Sequence, residues 1–483
     1  MENQILKGLD PDIVWRIFED ISKIPRASKK EEKIREWVKN WANEHQISWQ
    51  EDSTGNLLLS VTASKGCEDY PGITLQGHLD MVAQKDPESS HDFDKDPIPI
   101  IIENDFVTAK GTTLGADNGI GVAIALAVIS DPDIQHGPID VLLTVDEETG
   151  LTGAFGLDKS FLKHKLLLNL DSEDVGKITV SSAGGGDTKF NIPIERKSKS
   201  SLTGFTLTVG GLMGGHSGVD IHRPRLNAIK ILTEGLINIR QKVNEFYICS
   251  ISGGSAHNAI PRNSYCKFLV DNPTRTQEMF VEWNRQIQSY AKNEPKLSVN
   301  LQETALDSFI SATNTLITLL YEIPHGALSY SKEIPDLVET SNNLALIKTT
   351  SDSIEIITST RSSYDKELNR IRSELKDLGE RVGAEVTQEP SYPGWQPELD
   401  SPLLKLTKQE YNREYGLDVE LKAIHGGLET GLFKGIDPEL QIVSIGPKIK
   451  DAHSPQERVY IESVGLIWRI VKKLLSKLNE TDT

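Results

Sequence analysis

Residues 76–82 read Gln76-Gly77-His78-Leu79-Asp80-Met81-Val82, and the apolar run 72–75 leads directly into them. This run predicts a strand that ends in a histidine, with a carboxylate two positions further on. Because alternate side chains of an extended chain share a face, Asp80 is placed to orient the His78 imidazole through its second ring nitrogen. The stretch therefore predicts a metal ligand at one edge of a sheet.

Two further apolar runs end in acidic residues in the same way. Glu147 and Glu148 follow the run 139–145, and Asp171 follows the run 166–170. Adjacent side chains on an extended chain point to opposite sides, so one glutamate can bind a cation while the other faces a substrate. Carboxylate oxygen and imidazole nitrogen are ligands that zinc accepts. Together the three runs indicate a hydrolytic metal site.

Asp117 and His453 complete the set of candidate ligands. Asp117 lies between glycines just before a predicted helix, where an isolated aspartate is ordinarily an N-cap. His453 lies in a predicted loop, where a single histidine is ordinarily just exposed. Each residue alone is a weak signal, and the hypothesis depends on all the strand-end residues taken together.

Helical and strand patterns alternate around these residues. Helices are predicted at 11–24, 30–45 and 119–129, and runs that are apolar on both faces indicate a covered sheet with parallel strands. A polar stretch rich in lysine and serine, 192–201, is interpreted as a linker. We predict an α/β domain formed by 1–195 and 386–483, interrupted by an inserted α+β domain at 196–385.

Composition limits the partners. The 483 residues carry a formal net charge of −18, which disfavours nucleic acid and anionic membranes because phosphates would be repelled. No apolar run reaches the roughly 18 residues that span a bilayer, and the first residues lack the pattern of a signal peptide. Cys67, Cys249 and Cys266 match neither a disulfide framework nor a thiolate zinc site. These features predict a cytoplasmic protein with reduced thiols.

Eleven short segments carry a family resemblance. They are QGHLD (76–80), HDF (91–93), KGTTL (110–114), GADNG (115–119), DEETG (146–150), NLDSE (169–173), GGHSG (214–218), NAIPR (258–262), YPGWQP (392–397), HGGLETG (425–431) and HSP (453–455). Together they resemble the co-catalytic di-zinc peptidases and amidohydrolases related to aminoacylase and carboxypeptidase G, and most closely the dipeptidases among them. The resemblance implies a three-layer zinc-peptidase catalytic domain with an inserted lid domain.

The resemblance also implies roles for the candidate ligands. Asp117 would bridge two Zn²⁺ ions per subunit, for which Mn²⁺ or Co²⁺ can substitute. His78 and Asp171 would complete one site. Glu148 and His453 would complete the other.

The same resemblance assigns the reaction and the substrate contacts. Glu147 would act as general base on a zinc-bridged water, and Asp80 would steady His78. The residues implied to contact a small peptide substrate are His216, Asn258, Arg361, Gly426 and Gly427. His216 would polarise the scissile carbonyl, and Arg361 would bind the substrate's C-terminal carboxylate. The implied activity is hydrolysis of dipeptides, Xaa-His and other unblocked dipeptides among them; the role of His257 and a homodimer stay open.

Three alternatives are weighed against this hypothesis. An N-acyl amino acid deacylase could use the same metal site, and a profile across dipeptides and N-acetyl amino acids separates the two. A non-catalytic metal- or peptide-binding protein has no need for Glu147. Nucleotide binding by the glycine run 183–186 is disfavoured, because this run is neither a dinucleotide nor a P-loop fingerprint.

Overall fold

The chain forms helices at most of the positions where its sequence predicts them. The computed structural model describes residues 4–199, 201–332, 334, 336–416 and 418–480. The helices are α1 Asp12–Ile21, α2 Glu32–Glu44, α3 Ala116–Ser130, α4 Glu147–Gly150, α5 Thr152–Phe155, α6 Ala228–Arg240, α7 Pro273–Tyr290, α8 Thr313–Glu322, α9 Asp365–Arg381, α10 Pro402–Tyr415, α11 Glu429–Ile436 and α12 Ile461–Leu475.

Strands make up most of the remaining regular structure. They are β1 Ser48–Glu51, β2 Leu57–Val61, β3 Ile73–His78, β4 Ile100–Glu103, β5 Phe106–Ala109, β6 Ile139–Thr144, β7 Leu166–Asn169, β8 Lys177–Ser182, β9 Gly184–Pro193, β10 Arg196–Ser198, β11 Thr203–Gly210, β12 Gly215–His216, β13 Phe246–Gly253, β14 Ala259–Ile260, β15 Ser264–Val270, β16 Ser298–Glu303, β17 Ser308–Ile310, β18 Gly326–Tyr330, β19 Val338–Thr349, β20 Ser353–Ser362, β21 Glu385–Thr387, β22 Glu420–Ile424, β23 Gln441–Ser444, β24 Ile449–Lys450 and β25 Arg458–Tyr460. Helices and strands together form two compact units, which are described in turn.

The first unit comprises Met1–Ser181, Trp395–Ala423 and Leu428–Thr483. Its eight-stranded sheet has the order β1-β2-β6-β3-β7-β23-β8-β22. The central strands β6, β3, β7 and β23 are parallel, and every residue of β3, β6 and β7 is buried. The predicted covered parallel sheet is confirmed for this centre. It is wrong at the edge, because the short connection between β1 and β2 forces an antiparallel pair, and β2 is also antiparallel to β6.

Helix α3 is the central helix of this unit. It is buried from its first residue, Ala116, to Val128, and it packs against α1, α12 and β3. Small residues permit this close approach: a Cβ added at Gly121 would lie 2.3 Å from the carbonyl oxygen of Leu170. The predicted buried helix is confirmed, and Asp117 is its second residue.

The second unit comprises Ser182–Gly394 and Ile424–Gly427. Its large sheet has the order β16-β11-β15-β13-β19-β20-β9-β21, with β18 paired to β19, and all of its pairs are antiparallel. Apolar residues of α6, α7, α8 and α9 join those of the sheet in one buried core. This is the α+β pattern that the sequence predicts for this part of the chain.

The predicted linker at 192–201 is wrong. Pro193 is the last residue of β9, which pairs with β20 over ten residues, and Arg196–Ser198 is the strand β10, which pairs with β17. The polar composition has a different cause, because all three residues of β10 are exposed on a two-stranded ribbon. The chain passes between the two units at 181/182, 394/395, 423/424 and 427/428, whereas the predicted boundaries are 195/196 and 385/386. The inserted lid domain stays a prediction.

Two smaller expectations can be compared with the described residues. No helix in the described part of the chain is both long and apolar enough to cross a membrane. Cys67, Cys249 and Cys266 are free and buried, as predicted. Burial raises the pKa of Cys249 to about 12, so this thiol stays protonated.

Candidate metal centre

Parallel strands bring the candidate ligands to one edge of the first unit's sheet. His78 is the last residue of β3, Glu147 and Glu148 follow β6, and Asp171 follows β7. Since β3 is parallel to both β6 and β7, their carboxyl ends lie side by side. The geometry therefore explains why residues far apart in sequence are close together here.

The ligand candidates form two groups that share Asp117. In one group, His78 Nε2 lies 3.1 Å from Oδ1 of Asp117 and 3.3 Å from Oδ1 of Asp171. In the other, His453 Nε2 lies 3.0 Å from Oδ2 of Asp117 and 3.0 Å from Oε2 of Glu148. Each oxygen of Asp117 thus faces a different group, which is the arrangement of a bridging carboxylate.

The donor atoms fit a pair of divalent cations. Within each group the imidazole and carboxylate atoms lie within 4.8 Å of one another. Oε1 of Glu148 is buried and has no hydrogen-bond partner among the described residues, and Oδ1 of Asp171 is buried with the ring nitrogen of His78 3.3 Å away. Burying an unpaired carboxylate oxygen is costly, and a cation removes that cost. Nitrogen and oxygen donors of this kind suit zinc.

Without a cation, protons and histidines must balance the acidic charge. Burial opposes ionisation of Asp117, but hydrogen bonds from His453 and His78 hold its pKa well below the usual range. Hydrogen bonds to Asp117 and Glu148 raise the pKa of His453 to about 11. Burial, helped by the charges of Asp117 and Glu148, raises the pKa of Asp171 to about 7 against the opposing charge of His78. The protons held by His453 and Asp171 are therefore the ones that a bound metal ion would displace.

Asp80 organises the turn that carries the two glutamates. Its carboxylate accepts the N–H groups of Glu147 at 3.0 Å and Glu148 at 3.2 Å, and the Ser28 hydroxyl at 2.8 Å. Its Oδ1 also lies 3.3 Å from Nδ1 of His78, as the sequence predicts. Burial opposes ionisation, but these contacts hold the pKa of Asp80 at about 2. Asp80 is therefore ionised at neutral pH, and it contacts both the candidate ligand His78 and the turn that carries Glu147 and Glu148.

The expected extended conformation of Glu147 and Glu148 is wrong. They open the short helix α4, after Asp146 has adopted a left-handed conformation with φ of 51°. The two backbone N–H groups that donate to Asp80 belong to the first turn of α4, where N–H groups have no partner within the helix. A carboxylate stabilises such a helix N-terminus. Both glutamates still reach the centre, because each has an oxygen within 4.8 Å of a ring nitrogen of His78.

The N-cap interpretation of Asp117 is also wrong, because another carboxylate occupies that position. Glu457 accepts four backbone N–H groups, from Leu114 at 2.8 Å, Gly115 at 2.9 Å, Ala116 at 2.7 Å and Asp117 at 3.2 Å. The Asp117 side chain is left free to face the two histidines. Glu457 is not among the residues predicted from the sequence, where its only signal is a glutamate four residues after His453.

Glu429 is a second residue that the sequence analysis missed. It is 2% exposed, and its Oε2 accepts hydrogen bonds from Gln76 Nε2 and Thr144 Oγ1, both at 2.7 Å. Its Oε1 is buried without a partner among the described residues. Burial raises the pKa of Glu429 to about 7. Its segment, 425–431, belonged to the resemblance, but no property of the sequence singled out this residue.

The predicted substrate-contacting residues all belong to the second unit. His216 ends β12 and is half-buried, and its Nδ1 accepts the N–H groups of Gly218 at 3.2 Å and Val219 at 3.1 Å. Burial and the charge of Arg361 lower the pKa of His216. A neutral ring that accepts at Nδ1 carries its proton on Nε2, so His216 is a hydrogen-bond donor at that atom.

Arg361 lies on β20 with an incomplete set of partners. It is 8% exposed, and its Nη1 donates to the hydroxyl of Tyr392 at 3.0 Å. Its Nε is buried with no hydrogen-bond partner in the described part of the chain. A buried guanidinium with an unused N–H group is suited to bind an anion.

The remaining candidates are less constrained. Asn258 is exposed, and its carbonyl oxygen accepts the N–H of Ser217 at 2.8 Å. Gly426 and Gly427 lie in the short segment of the second unit at 424–427. His257, whose role stayed open, lies with Nδ1 3.1 Å from Oδ2 of Asp187.

Comparison with known proteins gives a consistent result over nearly the whole chain. Residues 74–477 match the model of Peptidase family M20/M25/M40. The cytosol non-specific dipeptidase of Escherichia coli K12 is 39% identical over 480 residues, which cover 98% of this chain and 99% of that protein. The crystal structure of aminoacylhistidine dipeptidase from Vibrio alginolyticus superposes with a TM-score of 0.91 at 38% identity, covering 98% of each chain. A tripeptidase from Staphylococcus aureus, 17% identical with a TM-score of 0.57, shares the fold.

Proposed function

Because the chain belongs to peptidase family M20/M25/M40, we propose that it is a metal-dependent dipeptidase that cleaves Xaa-His and other unblocked dipeptides. The observation that carries the proposal is the position of Asp117, whose two carboxylate oxygens face two separate groups of donor atoms. Similarity along the full length to a dipeptidase and to an aminoacylhistidine dipeptidase favours this activity over the deacylase alternative. The relative from Escherichia coli is named a cytosol dipeptidase, which also supports a cytoplasmic location for this protein.

Five residues would hold the metal ions. His78, Asp117 and Asp171 would bind one, and Asp117, Glu148 and His453 would bind the other. Zinc fits the mixture of imidazole and carboxylate donors, and Mn²⁺ or Co²⁺ can substitute in so acidic a site. When bound, two such cations acidify a water molecule and stabilise negative charge on a carbonyl oxygen.

Glu147 would move the proton in this reaction. Its carboxylate would accept a proton from the attacking water and later donate it to the leaving amine. Burial raises the pKa of Glu147 well above the usual range, with the charges of Asp171 and Glu429 adding to that rise against the charge of His78. A higher pKa makes the ionised carboxylate a stronger base. Asp80 would keep Glu147 in place through its bond to the Glu147 backbone N–H.

His216 would donate a hydrogen bond from Nε2 to the carbonyl oxygen of the scissile bond. We expect His216→Ala to lower turnover about 100- to 1000-fold, the loss that follows removal of one oxyanion donor. Zinc content should be unchanged, because His216 is not among the proposed ligands. Steady-state kinetics and metal analysis measure both effects. His222→Ala, at an exposed histidine of the same unit, is the matched control; loss of zinc from the His216 variant would instead make it a ligand.

Arg361 would bind the C-terminal carboxylate of the substrate. We expect Arg361→Ala to reduce kcat/KM for free dipeptides at least about 30-fold, since truncating one partner of a buried charge pair costs about 2–5 kcal/mol. C-terminally amidated dipeptides should lose much less. The exposed Arg370, paired with glutamates on α9, provides the control Arg370→Ala. Equal losses on free and amidated substrates would rule out carboxylate recognition.

The proposed activity is tested with a substrate panel. The purified protein is loaded with zinc and assayed on Xaa-His dipeptides, other dipeptides, tripeptides and N-acetyl amino acids. Dipeptides should be cleaved fastest, and chelation of the metal should abolish cleavage. Preferential hydrolysis of N-acetyl amino acids would favour the deacylase alternative.

A further inference from the structure

We propose that Tyr392 is a second carboxylate-binding residue, which acts beside Arg361 and makes the site specific for substrates with a free C-terminus. This inference rests on the proposed function, because it assumes that Arg361 faces the substrate carboxylate. It adds a residue to which neither the motifs nor the comparisons assign a role. It also gives Gly185 and Gly427 a role in packing this tyrosine.

The first observation is the contact between the two side chains. Nη1 of Arg361 donates to the Tyr392 hydroxyl oxygen at 3.0 Å. A hydroxyl that accepts in this way keeps its own O–H to donate. Nε of Arg361 also has a hydrogen that no described residue accepts. The pair thus offers N–H and O–H donors together, which match the oxygens of a carboxylate.

The second observation is the alignment of two neighbouring strands with a bridge residue outside them. Arg361 on β20 lies opposite Gly185 on β9, and Gly185 in turn lies opposite Tyr392. The N–H of Gly185 donates to the carbonyl oxygen of Tyr392 at 3.1 Å, and the N–H of Tyr392 donates to that of Gly185 at 3.0 Å. Side chains at such cross-strand positions share a face of the sheet. Arg361 and Tyr392 therefore meet above the glycine that separates their backbones.

The third observation is that a side chain at this glycine would break the contact. A Cβ added at Gly185 would lie 2.5 Å from the Tyr392 hydroxyl oxygen and 2.7 Å from Cζ. A Cβ added at Gly427 would lie 2.9 Å from Cε2 of the same ring. Glycines from two separate segments, 183–186 and 425–431, thus make room for one tyrosine. Within the run 183–186, Gly185 thus serves the packing of Tyr392.

The charges around Arg361 favour an anion. No carboxylate of the described residues lies within ion-pair distance of Arg361, and the carboxylate of Asp187 is paired with His257 at 3.1 Å. Burial and then the charge of Arg361 lower the pKa of His425 to about 3, so this neighbouring ring is neutral. Asp220 is the acidic group that acts on nearby His216, and it is paired with Arg223 and Arg225. The positive charge of Arg361 is therefore left for a ligand.

This arrangement discriminates between a carboxylate and an amide. A carboxylate accepts from the guanidinium with one oxygen and from the tyrosine with the other. A C-terminal amide places an NH₂ group against one of these donors, so one hydrogen bond is lost and donors oppose each other. Binding of an amide would leave one buried donor of this site without an acceptor, and the cost of that donor selects against amidated substrates.

The test is kinetic and uses Tyr392→Phe, which removes only the hydroxyl. We expect kcat/KM for a free dipeptide such as Ala-His to fall at least about tenfold, as for one hydrogen bond to a charged group. The value for Ala-His amide should change less than about twofold, and zinc content should not change. Tyr321→Phe, at an exposed tyrosine of the same unit, is the control and should leave both values unchanged.

A second variant approaches the contact from the glycine. Gly185→Ala should displace the tyrosine hydroxyl and give the same selective loss on the free dipeptide. The double variant Gly185→Ala/Tyr392→Phe should lose little more than either single variant, because both remove one interaction. Equal losses on free and amidated substrates, or additive losses in the double variant, would overturn the role of Tyr392.

The outcome also separates this inference from the proposed function. If Arg361→Ala is selective for free dipeptides and Tyr392→Phe has no effect, only the inference about Tyr392 is wrong. If Arg361→Ala affects free and amidated dipeptides equally, carboxylate recognition by Arg361 is wrong and the inference falls with it. If no dipeptide is cleaved by the zinc-loaded native protein, the proposed function itself is wrong.

Discussion

Glu147→Ala should lower dipeptide turnover at least about 100-fold, in line with the contribution of a general base. The variant should keep its zinc, because the five proposed ligands are other residues and because Asp80 holds the turn through backbone N–H groups. Turnover numbers and metal content of the purified variant measure the two effects. A matching substitution at an exposed glutamate, Glu103→Ala, should change neither.

Two outcomes of this experiment have different meanings. A zinc-loaded Glu147→Ala variant with native turnover would remove Glu147 from the proton transfer. A variant that loses zinc would make Glu147 a ligand, which its short distance to His78 and Glu148 permits geometrically. Only loss of turnover with retained zinc supports the proposed role.

Asp117→Ala should have an effect at least as large, because it removes a ligand from both groups at once. Metal content should fall well below that of the native protein, and dipeptide hydrolysis should be lost. The fold should survive, since the Asp117 backbone is held by Glu457 and not by its own side chain. Metal analysis, circular dichroism and kinetics distinguish these effects.

His453→Ala is the comparison for this prediction. It removes a ligand from only one group, so it should keep more metal than Asp117→Ala. If the two variants retain the same amount of metal, the bridging role of Asp117 is wrong. If Asp117→Ala keeps native metal content, the two groups do not share it as a ligand.

The centre of the first unit could be predicted because local pattern and topology agree there. Apolar runs at β3, β6 and β7 are buried on both faces, and parallel strands place their carboxyl ends at one edge. Ligand-type residues directly after such runs are therefore close together in space. His78 and Asp171 follow from this rule, and the small residues of α3 predicted its burial.

Other parts depend on contacts that no local pattern records. Glu457 satisfies the N–H groups of Leu114–Asp117 from more than 300 positions away, with separations of 340 to 343 residues. Its role follows only from the fold, because a buried backbone N–H can donate to any carboxylate that reaches it. Asp146 adopts a left-handed conformation just before α4, although such a conformation is ordinarily marked by a glycine. The sequence therefore carries no signal that Glu147 and Glu148 begin a helix.

The second unit shows the same limit. Its α+β character follows the sequence pattern, but the polar strand β10 resembled a linker because its side chains are exposed. Tyr392 and Gly185 are adjacent only through a bridge between distant segments. The role of a glycine that makes room for another side chain can be recognised only when the positions of both residues are known.

A zinc titration of the metal-free protein tests the central claim most directly. Bound zinc and the rate of Ala-His hydrolysis are measured on the same samples. The proposal predicts no hydrolysis without metal and full activity as bound zinc reaches two ions per chain, with neither in Asp117→Ala. Full hydrolysis by the metal-free protein, or native zinc binding and activity in Asp117→Ala, would contradict a dipeptidase centre of two metal ions bridged by Asp117.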